Sequence, residues 1–453
     1  MVDWLQLSTN SGIGTTNITI TASTYDGLVD RMTSLMVSGI TLTRDVTVNQ
    51  SKPTVLYVSQ SSFSAGYGAT SFTFTVTSDD YWSSSGLSEY TTISPRDGYN
   101  GTTTVTLLVG ENTSEYSRTS TFYIYSGSKS IAMEVVQQGK PSLINSYLTF
   151  EITAAGTICW KKGRGYTSNN GRIQYSVNDG EWTTLTPTTA GTRFSVAIGD
   201  IVRFKGDNTR YSDKEYYISG ATTFSGTSAH FNVSGNINSL IDSTGFSGVT
   251  TLLSSNTFQF LFYEAHVESA EDLILPNTGL TPYCYASMFE YCHYFTTPPK
   301  LPSMFLADNC YSNMFHYCSN LNSVPSLPAM SLANSCYSYM FQNCGSLTVV
   351  PALPATILTQ GCYNGMFMGC VSLTDSPVLR APTLTGACYS NMFRNCNSLT
   401  GVTCLATDIS AYGCVTRWLE NVASAGTFTK SSSMNDWVVG DNVPSGWTVV
   451  NAT

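Results

Sequence analysis

Cysteines recur in this chain on a fixed step. Cys284, Cys310, Cys336, Cys362, Cys388 and Cys414 lie 26 residues apart, as do Cys292, Cys318, Cys344, Cys370 and Cys396. Other ladders keep the same step. One is Tyr285, Tyr311, Tyr337, Tyr363 and Tyr389. A second is the Met–Phe pairs that begin at Met288, Met314, Met340, Met366 and Met392. Leu301, Leu327, Leu353, Leu379 and Leu405 form a third, and Leu306, Leu332, Leu358 and Leu384 a fourth. A unit this short cannot bury its own apolar side, so equivalent residues must stack into one continuous core. Residues 257–422 are therefore expected to form a solenoid.

Within the unit, Cys-Tyr-x-x-Met-Phe-x-x-Cys has helical spacing and no proline, which predicts a helix. The stretch from Ser-Leu to Leu-Pro alternates and predicts a short strand, pairing in parallel with the next about 4.8 Å away. The ends degrade as caps should. Phe262-Tyr263 stand for Met-Phe, with Phe258 and His266 at the cysteine positions. Trp418-Leu419 replace the pair at the other end, and a tail carrying Trp437 and Trp447 is expected to seal the last repeat.

The chain has 13 cysteines, of which only Cys159 lies outside the repeats. Cys284 and Cys292 would sit roughly 12 Å apart along a helix, beyond the ~7 Å reach of a disulfide. No Cys-x-x-Cys metal spacing occurs. Buried thiols filling core slots are the leading reading, with bridges between neighbouring repeats or a metal as alternatives. The tyrosine ladder could stack sugars or simply pack; Tyr285, Tyr311, Tyr337, Tyr363 and Tyr389 are the candidate glycan contacts.

Charge excludes several classes. Only 11% of residues are charged and the formal net charge is −9. No basic cluster is present to neutralise phosphates, so nucleic acid is not an expected partner. No apolar run approaches the roughly 18 residues of a membrane helix. The first residues, Met1 to Gln6, show neither a basic nor an apolar signal region. No metalloprotease, nucleophile-elbow or phosphate-loop motif appears around the 4 histidines (His230, His266, His293, His316) or elsewhere. No catalytic residue, cofactor or metal is expected.

The repeats resemble the BspA-like leucine-rich-repeat family of Bacteroidetes and their phages. The matching motifs are Cys336-Tyr337-Ser338-Tyr339-Met340-Phe341-Gln342-Asn343-Cys344, Ser346-Leu347 and Pro351-Ala352-Leu353-Pro354. Cys404 to Ser410 and Val443-Pro444-Ser445-Gly446-Trp447 resemble its C-terminal cap. The resemblance spans residues 235–453 and implies adhesion or recognition.

Upstream, two segments share an order of features. The first has Trp4, Thr15-Thr16, Arg31 and Val48-Asn49-Gln50; the second has Trp82, Thr102-Thr103, Arg118 and Val135-Val136-Gln137. Apolar and hydroxyl residues alternate between Gly, Ser and Asn turns, which predicts antiparallel sandwiches. Both resemble the BACON domain, an immunoglobulin-like module with carbohydrate-binding associations. The first copy lacks the strands that precede Trp82, so another chain completes it or it is minimal. Its tryptophans are read as core or as exposed sugar platforms. A third β segment carries a hairpin signal at Asn178-Asp179-Gly180.

The expected fold is thus mainly β and multidomain. Its parts are a truncated BACON-like sandwich (1–52), a BACON-like sandwich (53–140), a β-sandwich linker (141–235), an α/β leucine-rich-repeat solenoid (236–422) and a C-terminal cap (423–453). The two resemblances, the missing signal and the low charge imply a non-enzymatic virion surface protein of a gut Bacteroides (crAss-like) phage, a head fibre, decoration or tail adhesin. Its expected partners are capsid or tail proteins, host or mucus glycans, and further copies of itself, with a trimer as one option. A bacterial cell-surface adhesin and a purely structural virion component are the alternatives.

Overall fold

The computed structural model describes all residues except 1, 26–29, 53, 168–170, 214–216 and 453. The chain divides into two compact units, Met1–Pro141 and Ser142–Thr453. It is nearly all β, and its described helices are four short 3-10 turns.

The first unit holds two modules. The first comprises β1 (Leu5–Leu7), β2 (Ile20–Ala22), β3 (Arg31–Ser38) and β4 (Thr43–Gln50). The second comprises β5 (Leu56–Val58), β6 (Ser62–Ala65), β7 (Thr70–Ser78), β8 (Trp82–Ser85), β9 (Thr91–Ser94), β10 (Asp97–Gly98), β11 (Gly101–Val109), β12 (Arg118–Ser126) and β13 (Lys129–Gln137). In the second module, a sheet β10-β8-β12-β13-β6 faces a sheet β5-β7-β11-β9. Alternation along each strand sends Phe74, Val76, Leu107, Phe122, Ile124 and Val135 into one core with Trp82.

The modules are superimposable by their hydrogen bonds. Arg118 Nε donates to Gln137 Oε1 at 2.9 Å, and Arg31 Nε donates to Gln50 Oε1 at 3.0 Å. Arg118 Nη2 and Gln137 Nε2 both donate to the Gly110 carbonyl, as Arg31 Nη2 and Gln50 Nε2 donate to that of Ser23. The Arg118 guanidinium lies 3.7 Å from the Tyr90 ring centre, and that of Arg31 lies 4.3 Å from Trp4. Trp4 is therefore the counterpart of Tyr90, and its sequence alignment with Trp82 is corrected. Among its described residues the first module has equivalents of β9, β11, β12 and β13 alone. Among its described residues only Leu5 is a fully buried hydrophobic side chain.

The second unit opens with a sandwich. Its strands are β14 (Leu148–Ala154), β15 (Gly156–Lys162), β16 (Ile173–Val177), β17 (Thr183–Leu185), β18 (Thr192–Val196), β19 (Ile201–Lys205), β20 (Thr222–Thr223) and β21 (His230–Asn236). Asn178 and Asp179 take the positive φ values (50° and 58°) of the turn between β16 and β17. The larger sheet runs β17-β16-β19-β14-β21-β22, where β22 (Val267–Ile274) belongs to the first coil and pairs with β21 in parallel. One hydrophobic core consequently runs from Leu148 to Trp447.

Beyond β22 the chain winds in coils that bond to their neighbours. The Cys-Tyr-x-x-Met-Phe-x-x-Cys stretch is not helical, which corrects the α/β expectation. It is a ribbon of overlapping tight turns in which hydrogen bonds alternate in direction. Cys284, Ala286, Met288, Glu290 and Cys292 donate to the carbonyl three residues back. Tyr285, Ser287, Phe289 and Tyr291 donate to the next coil, at Cys310, Ser312, Met314 and His316. Every amide in the ribbon is thereby satisfied without a helix. Each coil needs a positive φ at every fourth residue, for example Asn309, Asn313 and Tyr317, or Gly361, Gly365 and Gly369. Glycine and asparagine enter that region at least cost. The inward side chains repeat on the same four-residue step, and this produced the helical spacing.

The strand expectation holds only at the ends. The interior coils carry Pro299, Pro325, Pro351 and Pro377 on the 26-residue step. Proline has no N–H to give a ladder, and parallel pairing there shrinks to single bridges such as Phe305–Ser331 and Ser331–Ile357. Leu273 and Thr403 replace that proline in the outer coils, and strands form there: β22, and β23 (Gly401–Cys404) with β24 (Gly426–Lys430) and β25 (Trp447–Asn451).

Two aromatic ladders run through the core. Tyr285, Tyr311, Tyr337, Tyr363 and Tyr389 stack with ring centres 5.8, 5.9, 5.8 and 6.1 Å apart. The second ladder, Phe289 to Phe393, starts one coil earlier at Phe262. Phe258 stacks on Tyr285. The first coil is thus one residue longer than the sequence register implied: Phe262 occupies the Phe slot, and Thr257 and Ala265 stand where cysteines would. At the far end Cys404, not Leu405, continues the buried leucine ladder, bridging Leu379. Trp418 stacks on Tyr389 and Trp437 on Trp418, closing the core.

Candidate binding face on the repeat stack

All 13 cysteines are free and buried. Five of them repeat one contact. Sγ of Cys292, Cys318, Cys344, Cys370 and Cys396 donates at 3.0–3.1 Å to the carbonyls of Phe262, Phe289, Phe315, Phe341 and Phe367. Burial pushes the thiols up, Cys284, Cys336 and Cys396 to about 12. These are neutral packing groups, not nucleophiles. Among the described residues no three His, Cys, Asp or Glu side chains gather around a metal position.

The tyrosine ladder proposed for glycan contact is also interior. Tyr285, Tyr311, Tyr337, Tyr363 and Tyr389 are at most 2% exposed, so no sugar reaches them. Trp82 is likewise buried in the second module. The accessible aromatic residues of the stack include Tyr294, Phe305, Tyr412 and Tyr317; of these Tyr317 holds a left-handed position of the ribbon, next to the half-buried Tyr291. Tyr291 and Tyr317 (φ 62° and 58°) project outward from adjacent coils and stack at 4.8 Å, 8° from parallel. Tyr263 meets Tyr291 edge-on at 5.5 Å. The sequence signal was a ladder that stops: the same position is Asn343 and then Gly369 in the following coils.

Beside this platform lies a cleft of about 200 Å³ lined by Gln259, Tyr263, Ser287, Glu290, Asn313 and His316, among others. Glu290 and His316, one coil apart, lock together through Oε1 and Nδ1 at 2.8 Å. Gln259 Oε1 and His316 Nε2 are buried with no hydrogen-bond partner among the described residues. An unmatched buried polar atom carries a desolvation cost of about 1–3 kcal/mol. Burial, then the Glu264 carboxylate, pushes the Tyr263 hydroxyl up; burial, then Glu290, does the same at Tyr291. Both phenols are neutral at physiological pH and can donate as well as accept. Flat aromatic faces, amides, a hydroxyl and a carboxylate around one shallow cleft suit a polyhydroxylated ring with an apolar C–H face.

The second module has a smaller exposed aromatic pair. Tyr81 and Tyr99, 45% and 75% exposed, lie 5.5 Å apart, and the Tyr81 hydroxyl bonds to Asp97.

The fold is that of a β-rich, multidomain protein. A family model described as "BACON: Putative binding domain, N-terminal" matches residues 2–51 and 80–138. The N-terminal part of the chain is BACON-like, and BACON is a binding domain. No curated protein matches the chain. Among solved structures, the Bacteroides ovatus GH5 xyloglucanase in complex with a XXXG heptasaccharide is similar over 20% of this chain and 20% of its own, at 18% identity. Its TM-score of 0.19 is too low to define a shared fold.

Proposed function

We propose that this chain is a non-enzymatic glycan-binding surface protein, in which BACON-type modules precede a BspA-like leucine-rich-repeat solenoid that carries the principal site. The observation that supports it is the cleft beside Tyr291 and Tyr317, with its two unmatched polar atoms on Gln259 and His316. A glycan array probed with the full chain tests the proposal. Retention of a defined set of glycans supports it, and failure to retain any refutes it.

The proposed setting is the surface of a phage virion, as fibre, decoration or tail adhesin, on the strength of the family resemblances alone. A bacterial cell-surface adhesin is the second reading. Peptide mass spectrometry separates them: the first expects the chain in purified virions, the second in bacterial envelopes.

A further inference from the structure

Two carboxylates from adjacent coils meet at the cleft beside Tyr291 and Tyr317. Glu290 lines the cleft, and the Glu264 backbone N–H donates to the Glu290 carbonyl at 3.0 Å. The Glu264 side chain bonds to the hydroxyl of Tyr263, which also lines the cleft. Burial raises the Tyr263 and Tyr291 hydroxyls, and both carboxylates add to the rise at each of them. Two carboxylates and two phenols thus share one small volume.

Little offsets this negative charge. The described residues lining the cleft include no lysine or arginine. Glu264 Oε2 accepts from the Ser225 hydroxyl at 3.3 Å, a neutral donor. Glu290 Oε1 meets His316 Nδ1 at 2.8 Å, and that imidazole can balance one carboxylate at most. Glu290 Oε2 accepts no hydrogen bond from a described residue.

We propose that the cleft selects glycans that carry a free amine, as the ammonium of an amino sugar, over N-acetylated and acidic glycans. This rests on the glycan reading above and names its ligand class. An ammonium has three donors and no acceptor, and bonds from it to Glu264 and Glu290 are charge-assisted. Tyr263 and Tyr291, edge-on with ring centres 5.5 Å apart, add ring faces that attract a cation. The C–H face of the same sugar lies on the stacked Tyr291–Tyr317 pair. N-acetylation removes the charge and leaves stacking alone. A uronic or sulfated sugar meets two carboxylates without a counter-charge, which is discrimination by repulsion.

Binding of the full chain to immobilised glucosamine, N-acetylglucosamine and uronic acid oligomers of equal length tests it, in mildly acidic buffer where the amine is charged. Wild type is expected to retain at least tenfold more of the amine form than of the N-acetylated form, and no uronic oligomer. Added salt should weaken the amine signal. Glu290→Gln and Glu264→Gln should each bring the ratio of amine to N-acetylated retention toward one. Glu134→Gln, exposed on β13 of the second module, removes the same charge and should keep the ratio. Equal retention of the amine and N-acetylated forms, or retention of uronic oligomers, overturns the proposal and leaves the glycan reading standing. So does a preference that both cleft variants keep, or that Glu134→Gln loses equally. A wild-type chain that retains no glycan overturns both.

Discussion

Asn391 holds a φ of 54° in the ribbon, and Gly365 holds 61° one coil earlier. A β-branched side chain at either position meets the left-handed penalty, about 1–2 kcal/mol per residue. At Gly365 an added Cβ would also run into the Tyr339 ring. Asn391→Val is therefore expected to destabilise the second unit by about 1–2 kcal/mol, and Gly365→Val by more; thermal melting of the full chain reads both. The buried thiols make a second residue-level prediction. Native protein should resist alkylation by iodoacetamide at pH 8 at all cysteines, and label at all of them once unfolded, as mass spectrometry would show. The cysteine, methionine, phenylalanine and tyrosine ladders were legible because stacking forces equivalent residues into equivalent environments. Which tyrosines face water was not. A buried and an exposed ladder look alike in sequence, and Tyr291 and Tyr317 form a ladder of only two.

The ribbon is the element that sequence reasoning misread. A four-residue step and the 3.6-residue turn of a helix diverge too little over so short a stretch to be told apart. Glycine and asparagine at every fourth position of Gly361-Cys362-Tyr363-Asn364-Gly365 and its neighbours were the available signal. The prolines likewise state where strands cannot form, and β22 and β23 appear only where Leu273 and Thr403 replace them. The stack of thiols gives the element a pH dependence. Burial raises their folded pKa above the unfolded value of 9.0, so the stability they contribute is full below pH 9 and is lost as pH rises through the folded values. The second unit should unfold at alkaline pH with a steep dependence beginning above 9, followed by circular dichroism. At the junction with the sandwich the sign reverses. Burial, reinforced by His230, lowers the His266 pKa from 6.5. Its contribution is present above pH 6.5 and is lost as pH falls through the folded value. His266→Gln should flatten the acid side of the stability profile.

For the whole molecule, the sequence carried the β-rich, multidomain character and the BACON-like nature of the N-terminal part. It did not carry the single core that joins the sandwich to the stack, because the parallel pairing of β21 with β22 links segments that share no repeat. Nor did it carry the candidate binding face, which arises only when Gln259, Glu290 and His316 come together from three successive coils. A cleft of this size supports weak binding, and a protein with several copies gains through avidity, by roughly 10²–10⁴ over one site. The most direct test of the central claim is one glycan array probed in parallel with wild-type chain, Tyr317→Ala and Tyr99→Ala. Wild type is predicted to retain a defined glycan set, Tyr317→Ala to lose at least tenfold of that signal, and Tyr99→Ala to lose less. No retained glycan, or equal retention by Tyr317→Ala, would contradict the account.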